Sequence, residues 1–258
     1  GLRGLEERDL PSLRAITNAG AALPESLLLR LRALFPQAGV FAMYGQTEAQ
    51  RIAYLPPSET GRRPRSVGVP IPGTEVWVRA EDGSEAGPGE VGELIVRGPH
   101  VMQGYWRDDE ATARRLETGA WPWERLLATG DLFYRDEEGF LYFVARQDDI
   151  IKSRGEKVAP REVEEVLCAF PGVRDAAVIG VSDPLMGQAL HAHLAPREEI
   201  EADETALRAH CARHLEAHKV PQRIALHDEL PLNASGKVDK LALREMSEPR
   251  EPSCAPAT

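Results

Sequence analysis

Apolar positions in this chain change spacing several times, and the changes mark its elements. Residues 13–18 (LRAITN) form a short apolar run that stops at the small residues 19–22, which suit close strand-to-helix packing. Leu23-Pro24-Glu25 then places a proline and an acid where a helix starts, and Leu27, Leu28, Leu31 and Leu34 recur at helical spacing. A second apolar run at residues 39–43 completes a βαβ-like unit. Between residues 66 and 106 the pattern becomes short alternating strands, at 67–70, 75–79 and 92–98, separated by glycine- and proline-rich turns. That spacing predicts a small β-barrel or folded sheet. One short helix is expected over residues 108–116. Apolar residues 126–128 and 132–133 flank Thr129-Gly130-Asp131, which reads as a polar turn at a strand end, and Asp136-Glu137-Glu138-Gly139 reads as a hairpin tip.

A boundary is expected at Gln147-Asp148-Asp149, because two adjacent acids between apolar strands would repel each other if buried. Beyond it the pattern is that of a compact α/β module. Residues 160–170 are amphipathic, with Val163, Val166 and Leu167 on one face and Glu162, Glu164 and Glu165 on the other. Residues 173–181 read as a buried strand with 191–194 as its partner, 204–218 as a second helix with Leu207 and Leu215 inward, and 221–226 as a return to the sheet. The tail after Glu245, rich in Pro, Glu, Ser and Ala, reads as disordered. The fold class is therefore mixed α/β and β.

Composition narrows the function classes. A formal net charge of −10 over 258 residues, with no basic cluster interleaved with aromatics, argues against a nucleic-acid partner. Cys168, Cys211 and Cys254 have no CxxC spacing and read as free thiols in a reducing compartment. No apolar run approaches the roughly 20 residues of a membrane span, and no signal pattern opens the chain, so a cytoplasmic location is expected.

Four segments carry candidate chemistry. In the stretch 230–240 (LPLNASGKVDK), Lys237 follows Ser235-Gly236, a turn that can aim a mobile cation at a phosphate or carboxylate, or can simply be a solvated loop. In Tyr44-Gly45-Gln46-Thr47-Glu48, Gly45 allows a tight turn. Tyr44 there offers a flat face for a purine, Thr47 a hydroxyl for a phosphate and Glu48 a hard oxygen for magnesium. Taken singly, Tyr44 could equally be core and Glu48 a helix N-terminal acid. Asp131 can accept both hydroxyls of a ribose or can cap an ordinary hairpin. The fourth segment is RQDDIIKSRGEKVAP, residues 146–160. His210, His214 and His218 recur every four residues, but with no acidic or thiol partner at ligand spacing they read as a solvated face.

In this order the four segments resemble the adenylate-forming superfamily of acyl-CoA synthetases, peptide-synthetase adenylation domains and luciferase-type ligases. The resemblance runs from about residue 17 to residue 240. It implies the tail of a large α/β adenylating domain with a β-barrel subdomain (βα units 1–65, barrel 66–147). A small mobile C-terminal domain (148–245) and a disordered tail (246–258) would follow. It implies that Gly20 and Ala21 lie against the adenine, with Ala19 replacing the usual first glycine. Tyr44 would stack on that ring, with Gly45 and Gln46 in the nucleotide-contacting set. Thr47 would meet the α-phosphate, Glu48 magnesium, and Asp131 with Arg146 the ribose. Asp148 would be the hinge, Gly155 would let a thiol-bearing arm pass, and Lys237 would bridge carboxylate and phosphate. Glu93-Leu94-Ile95-Val96-Arg97-Gly98 and Gly104-Tyr105-Trp106 match structural signatures and are assigned to the fold.

The implied reaction joins a small carboxylic acid to coenzyme A through an acyl-adenylate, using ATP and Mg2+ and releasing AMP. Rival readings are a non-catalytic nucleotide-binding fragment and a peptide-synthetase domain loading a carrier protein. The superfamily's glycine-rich phosphate loop is not found before Tyr44. The chain therefore reads as the C-terminal part of a longer enzyme, inactive without an upstream half.

Overall fold

The computed structural model describes residues 10–20, 23–197, 203–234 and 236–247. Ala21 and Cys254 lie outside these residues, as does most of the expected tail. The chain divides into two compact units, Gly1–Gln147 and Asp148–Thr258. Among the described residues, no helix is long and apolar enough to cross a membrane.

The first unit opens with β1 (Ala15–Asn18), α1 (Glu25–Leu34) and β2 (Gly39–Gln46). β1 and β2 pair in parallel, Ala15 opposite Gly39 through Asn18 opposite Ala42, so the helix is the crossover of a βαβ unit. Pro24 sits at the N-cap with φ −59° and ψ 140°, and Leu28 is the fully buried side chain of α1. β3 (Ala49–Leu55) and β4 (Val69–Pro70) extend the sheet antiparallel in the order β1-β2-β3-β4. The tight turn expected at Gly45 is displaced. Thr47 and Glu48 turn the β2–β3 hairpin, while Gly45 lies inside β2 where a Cβ would come within 2.5 Å of Arg51 N.

A second sheet comprises β5 (Glu75–Arg79), β6 (Gly92–Arg97), β7 (Leu116–Thr118), β8 (Arg125–Arg135) and β9 (Leu141–Arg146), with α2 (Asp109–Arg115) preceding β7. The order is β5-β6-β8-β7, and β9 also pairs with β8. No pairing among the described residues joins β5 to β7 or β9, and isolated bridges Gly68–Leu141 and Ala49–Val101 tie this folded sheet to the first one, consistent with a barrel-like subdomain. Asp108 caps α2 through the Ala111 amide at 2.9 Å. Ile52, Ala53, Val78, Leu94, Leu127 and Phe133 form a buried core shared by the two sheets. A cluster that pattern reading missed secures the β8–β9 hairpin. Buried Arg63 pairs with Glu59, Asp136 and Glu138, and its guanidinium lies 4.0 Å over the Phe140 ring.

Among the described glycines of this unit, Gly68 marks the closest backbone approach. Its φ is +92°, and a Cβ there would stand 1.8 Å from Tyr54 O, inside backbone that cannot yield. Gly68→Ala is therefore expected to destabilise the chain by roughly 3 kcal/mol, combining left-handed strain with displacement of β3. Urea denaturation measures this, and a loss below about 1 kcal/mol would refute the assignment.

A single 3-10 turn, Gln147–Asp149, leads into the second unit. There β10 (Ile151–Ser153) and β11 (Glu156–Val158) form a hairpin, followed by α3 (Pro160–Cys168), β12 (Val173–Asp183), β13 (Gly187–Pro196), α4 (Glu204–His214), β14 (Arg223–Leu226) and α5 (Lys240–Ser247). The sheet order is β11-β10-β13-β12, with β14 parallel to β13. Side chains alternate across β12. Val178 joins Val163, Leu167, Leu207 and Cys211 in one core, whereas Ala177, Ile179 and Val181 join Leu230 and Leu243 in another.

Three expectations are corrected here. α4 ends with Leu215 as its C-cap rather than at His218, so the histidine stripe is broken. His210 is also not simply solvated: its Nε2 lies 3.0 Å from Val166 O and its ring meets Phe170 edge-on. The chain past Glu245 is helical through Ser247, because Leu243 is anchored in the second core. A histidine pair was also missed: buried His193 Nδ1 lies 2.8 Å from half-buried His227 Nε2, and burial, then His227, pushes the His193 pKa down to about 4.

Candidate functional site

The polar cluster of the first unit is built on an irregularity in β8. Between Glu93 and Ile95 of β6 the ladder advances two residues while β8 advances four, from Leu132 to Ala128. Thr129-Gly130-Asp131 is thus not a turn at a strand end but a bulge within an 11-residue strand. Gly130 has φ +67°, so the backbone requires glycine, and a Cβ there would displace the Arg115 guanidinium, whose Nη1 would lie 2.2 Å away. Thr129 Oγ1 donates to Leu94 O at 2.8 Å and accepts from Asp131 N at 3.1 Å.

The bulge turns Asp131, only 4% exposed, toward the end of β2. Its Oδ2 accepts from Tyr44 OH at 2.7 Å and from Gln46 Nε2 at 2.7 Å. Gln46 Nε2 also lies 3.1 Å from Thr129 O and 3.1 Å from Tyr44 OH. Arg146 is Asp131's direct partner across the β8–β9 ladder, with Nε 3.4 Å from Oδ1. That contact is an ion pair without hydrogen-bond alignment, and Oδ1 is buried with no hydrogen-bond partner. One carboxylate oxygen is thus saturated and the other is an open acceptor beside a guanidinium.

Tyr44 has two surroundings. Its ring packs edge-on against Phe133 with centroids 4.8 Å apart, joining the core, while its hydroxyl enters the cluster. Burial first, then the charge and hydrogen bond of Asp131, raises its pKa far above the usual range, so it remains a protonated donor. Glu48, in the hairpin turn, accepts from Tyr105 OH through Oε1, and its backbone oxygen accepts from Met102 N at 2.8 Å. Its other carboxylate oxygen meets no partner among the described residues. Thr47 is exposed beside it. Gly20, with φ +86°, follows β1 at the C-terminal edge of the parallel pair, the edge past which β2 carries Tyr44 and Gln46. Ligands of α/β sheets bind beyond such strand ends.

The structure therefore joins Tyr44, Gln46, Asp131 and Arg146 in one network. It also adds residues that the segments alone did not single out: Thr129, Tyr105, Glu93 and Arg115. Tyr105 and Glu93 were visible only as members of structural signatures. Arg115 lacks any local signal, and its Nη1 reaches Thr129 O at 3.3 Å only because α2 precedes a strand paired to β8.

In the second unit, Asp148 is exposed within the 3-10 turn. Residues 152–160 are not a loop. Arg154, φ +55°, and Gly155, φ +83°, form the two-residue turn of the β10–β11 hairpin, the geometry of a type I′ turn. Lys237 is exposed on a turn closed by Asn233 N donating to Lys237 O at 2.7 Å and Gly236 N donating to Asn233 O at 2.9 Å. Its ammonium group meets no acceptor among the described residues. Among those residues no cluster of three or more His, Cys, Asp or Glu converges as a metal site.

The first unit thus carries a parallel βα unit and a polar cluster around a buried carboxylate, and a small α/β unit follows it. The family described as AMP-binding enzyme matches residues 2–106, and that described as AMP-binding enzyme C-terminal domain matches residues 162–237. The chain belongs to the adenylate-forming superfamily.

Over 232 residues it is 40% identical to sulfoacetate–CoA ligase of Cupriavidus necator, covering 90% of this chain and 44% of that protein. Amide bond synthetase McbA of Marinactinospora thermotolerans superposes with a TM-score of 0.86 at 37% identity, covering 95% of this chain and 49% of the other. O-succinylbenzoate coenzyme A synthetase of Bacillus subtilis, solved with ATP and a magnesium ion, gives 0.79 at 36% identity, covering 93% and 48%. The chain thus spans less than half the length of the curated relative, at 44%.

Proposed function

We propose that this chain supplies the nucleotide-recognising and mobile-domain parts of an enzyme that activates a carboxylic acid with ATP and passes the acyl group to coenzyme A. The observation that carries the reading is the divided Asp131 carboxylate. Tyr44 and Gln46 saturate Oδ2, while Oδ1 is buried and open beside Arg146. A buried carboxylate oxygen without a donor costs free energy, and ribose hydroxyls are donors of the required kind.

The remaining roles follow the chemistry. Gly20, Tyr44, Gly45 and Gln46 border the adenine, and Thr47 meets the α-phosphate. The donor set fits magnesium, which uses one or two carboxylates together with substrate phosphates, and Glu48 would hold it through its free oxygen. Bound magnesium neutralises polyphosphate charge. Lys237 brings a cation to the reacting carboxylate and phosphate, and rotation about Asp148 replaces it with the Gly155 turn for thiol transfer. The CoA-ligase relative supports a thiol acceptor, whereas likeness to the amide bond synthetase favours a second reading with an amine acceptor.

The test is pyrophosphate release from ATP with a panel of carboxylic acids, using this chain alone and mixed with a separately produced upstream half, with coenzyme A or an amine as acceptor. Acid-dependent release in the mixture, followed by thioester, is expected. Amide instead of thioester would select the second reading. AMP binding without turnover in either preparation would leave a non-catalytic nucleotide-binding protein.

A further inference from the structure

Toward β6 the bulge that aims Asp131 is held by side chains rather than by ladder bonds, while Asp131 itself stays paired with Arg146 of β9. Gly130 N donates to Glu93 Oε1 at 2.9 Å, while the Thr129 carbonyl accepts from Gln46 and Arg115. Glu93 is itself fixed. Arg79, its cross-strand partner on β5, donates through Nη2 to Glu93 Oε2 at 2.8 Å. The same guanidinium is gripped by both carboxylate oxygens of Glu117 on β7, each at 2.8 Å. Three strands thus converge on one backbone amide. The hydrogen bonds of Glu117, the largest influence, and of Glu93 hold Arg79 firmly in its charged form.

We propose that Glu117, Arg79 and Glu93 form a positioning relay: the ion-paired Glu93 carboxylate pins the Gly130 amide and thereby sets where the open oxygen of Asp131 points. The relay rests on the reading that this oxygen takes ribose hydroxyls. Gly130 is the residue of the bulge with the widest backbone freedom, so an unpinned amide would let it leave φ +67° and re-aim the Asp131 side chain. None of the three relay residues touches nucleotide in this scheme. Their effect is confined to recognition of the sugar.

The test measures dissociation constants of AMP and 2′,3′-dideoxy-AMP by calorimetry on the whole chain, taking their ratio as hydroxyl discrimination, with melting temperature recorded for each variant. The wild type should prefer AMP by about 10-fold or more, the worth of hydrogen bonds to a charged group. Glu93→Ala should remove most of that preference while dideoxy-AMP binding stays within a few-fold. Arg79→Met should lower the ratio in the same direction. Glu93→Gln keeps an acceptor for Gly130 but loses the pairing with Arg79, and should fall between wild type and Glu93→Ala.

A wild type that fails to prefer AMP would sink the ribose reading, and the relay with it. Normal wild-type preference retained in Glu93→Ala or in Arg79→Met would overturn the relay alone. So would equal weakening of both ligands, which is the signature of a merely structural defect, or a Glu93→Gln no better than Glu93→Ala.

Discussion

Lys237→Ala is expected to slow adenylate formation by about 100- to 1000-fold, the usual consequence of removing a preorganised contact to developing charge. A carboxylate attacking a polyanion meets repulsion that only local positive charge can offset, and Lys237 is a cation with no competing acceptor among the described residues. The turn presenting it does not depend on the ammonium group. It is closed by main-chain bonds from Asn233 N to Lys237 O and from Gly236 N to Asn233 O, and by Asn233 Oδ1 accepting from Lys237 N at 3.1 Å. Val238 and Leu243 are anchored in the second core, and Lys240 pairs with Glu164 at 2.8 Å. The substitution should therefore change stability by less than about 0.5 kcal/mol.

Two half-reactions separate the role from a general defect. Pyrophosphate release, measured with the upstream half present, should collapse. Thioester formation from chemically made acyl-adenylate should remain within a few-fold of wild type, because the proposed rotation withdraws Lys237 before transfer. Equal loss in both halves would show that Lys237 serves binding or structure instead.

How much of this was legible in the sequence depends on how local each feature is. The βαβ unit could be read because its helix spacing and both apolar runs lie within one 32-residue stretch, from Ala15 to Gln46. Tyr44, Gln46, Asp131 and Arg146 stand in short segments that are singled out together by their resemblance to the adenylate-forming superfamily, and the fold brings these four together. The bulge was misread as a turn because its geometry is set by a mismatch with β6, about 35 residues earlier, which no local window contains. Thr47-Glu48 carries none of the Asn-Gly or Asp-Gly signal of a two-residue hairpin, so the β2–β3 turn was assigned to the preceding glycine. Arg63, with its three carboxylates, and the Arg79 relay escaped for the same reason as the bulge. Each depends on carboxylates from other segments, Asp136 and Glu138 for Arg63 and Glu93 and Glu117 for Arg79, and a lone arginine looks like an ordinary solvated residue.

Asp131→Asn should weaken AMP binding by about 100-fold, although the side chain keeps its size, because two hydrogen bonds to a charged acceptor would be lost or inverted. The amide has one acceptor oxygen where the carboxylate has two. If that oxygen takes the Oδ2 position, Tyr44 and Gln46 keep their partner, but an NH2 group now faces the ribose and Arg146. If the amide is flipped, NH2 meets the Gln46 amide, two donors in opposition at the 2.7 Å now occupied by a hydrogen bond. Neither orientation preserves the site.

Tyr44→Phe is the informative contrast. It removes one donor from Oδ2 but leaves Gln46 there and Oδ1 untouched, so AMP affinity should fall by only about 3-fold to 10-fold, the net worth of one hydrogen bond. Calorimetric titration with AMP, and with adenine as a ligand lacking the sugar, decides the matter. Adenine affinity should be unchanged in Asp131→Asn. AMP bound by that variant within about threefold of wild type would mean that the open oxygen of Asp131 does not hold the sugar.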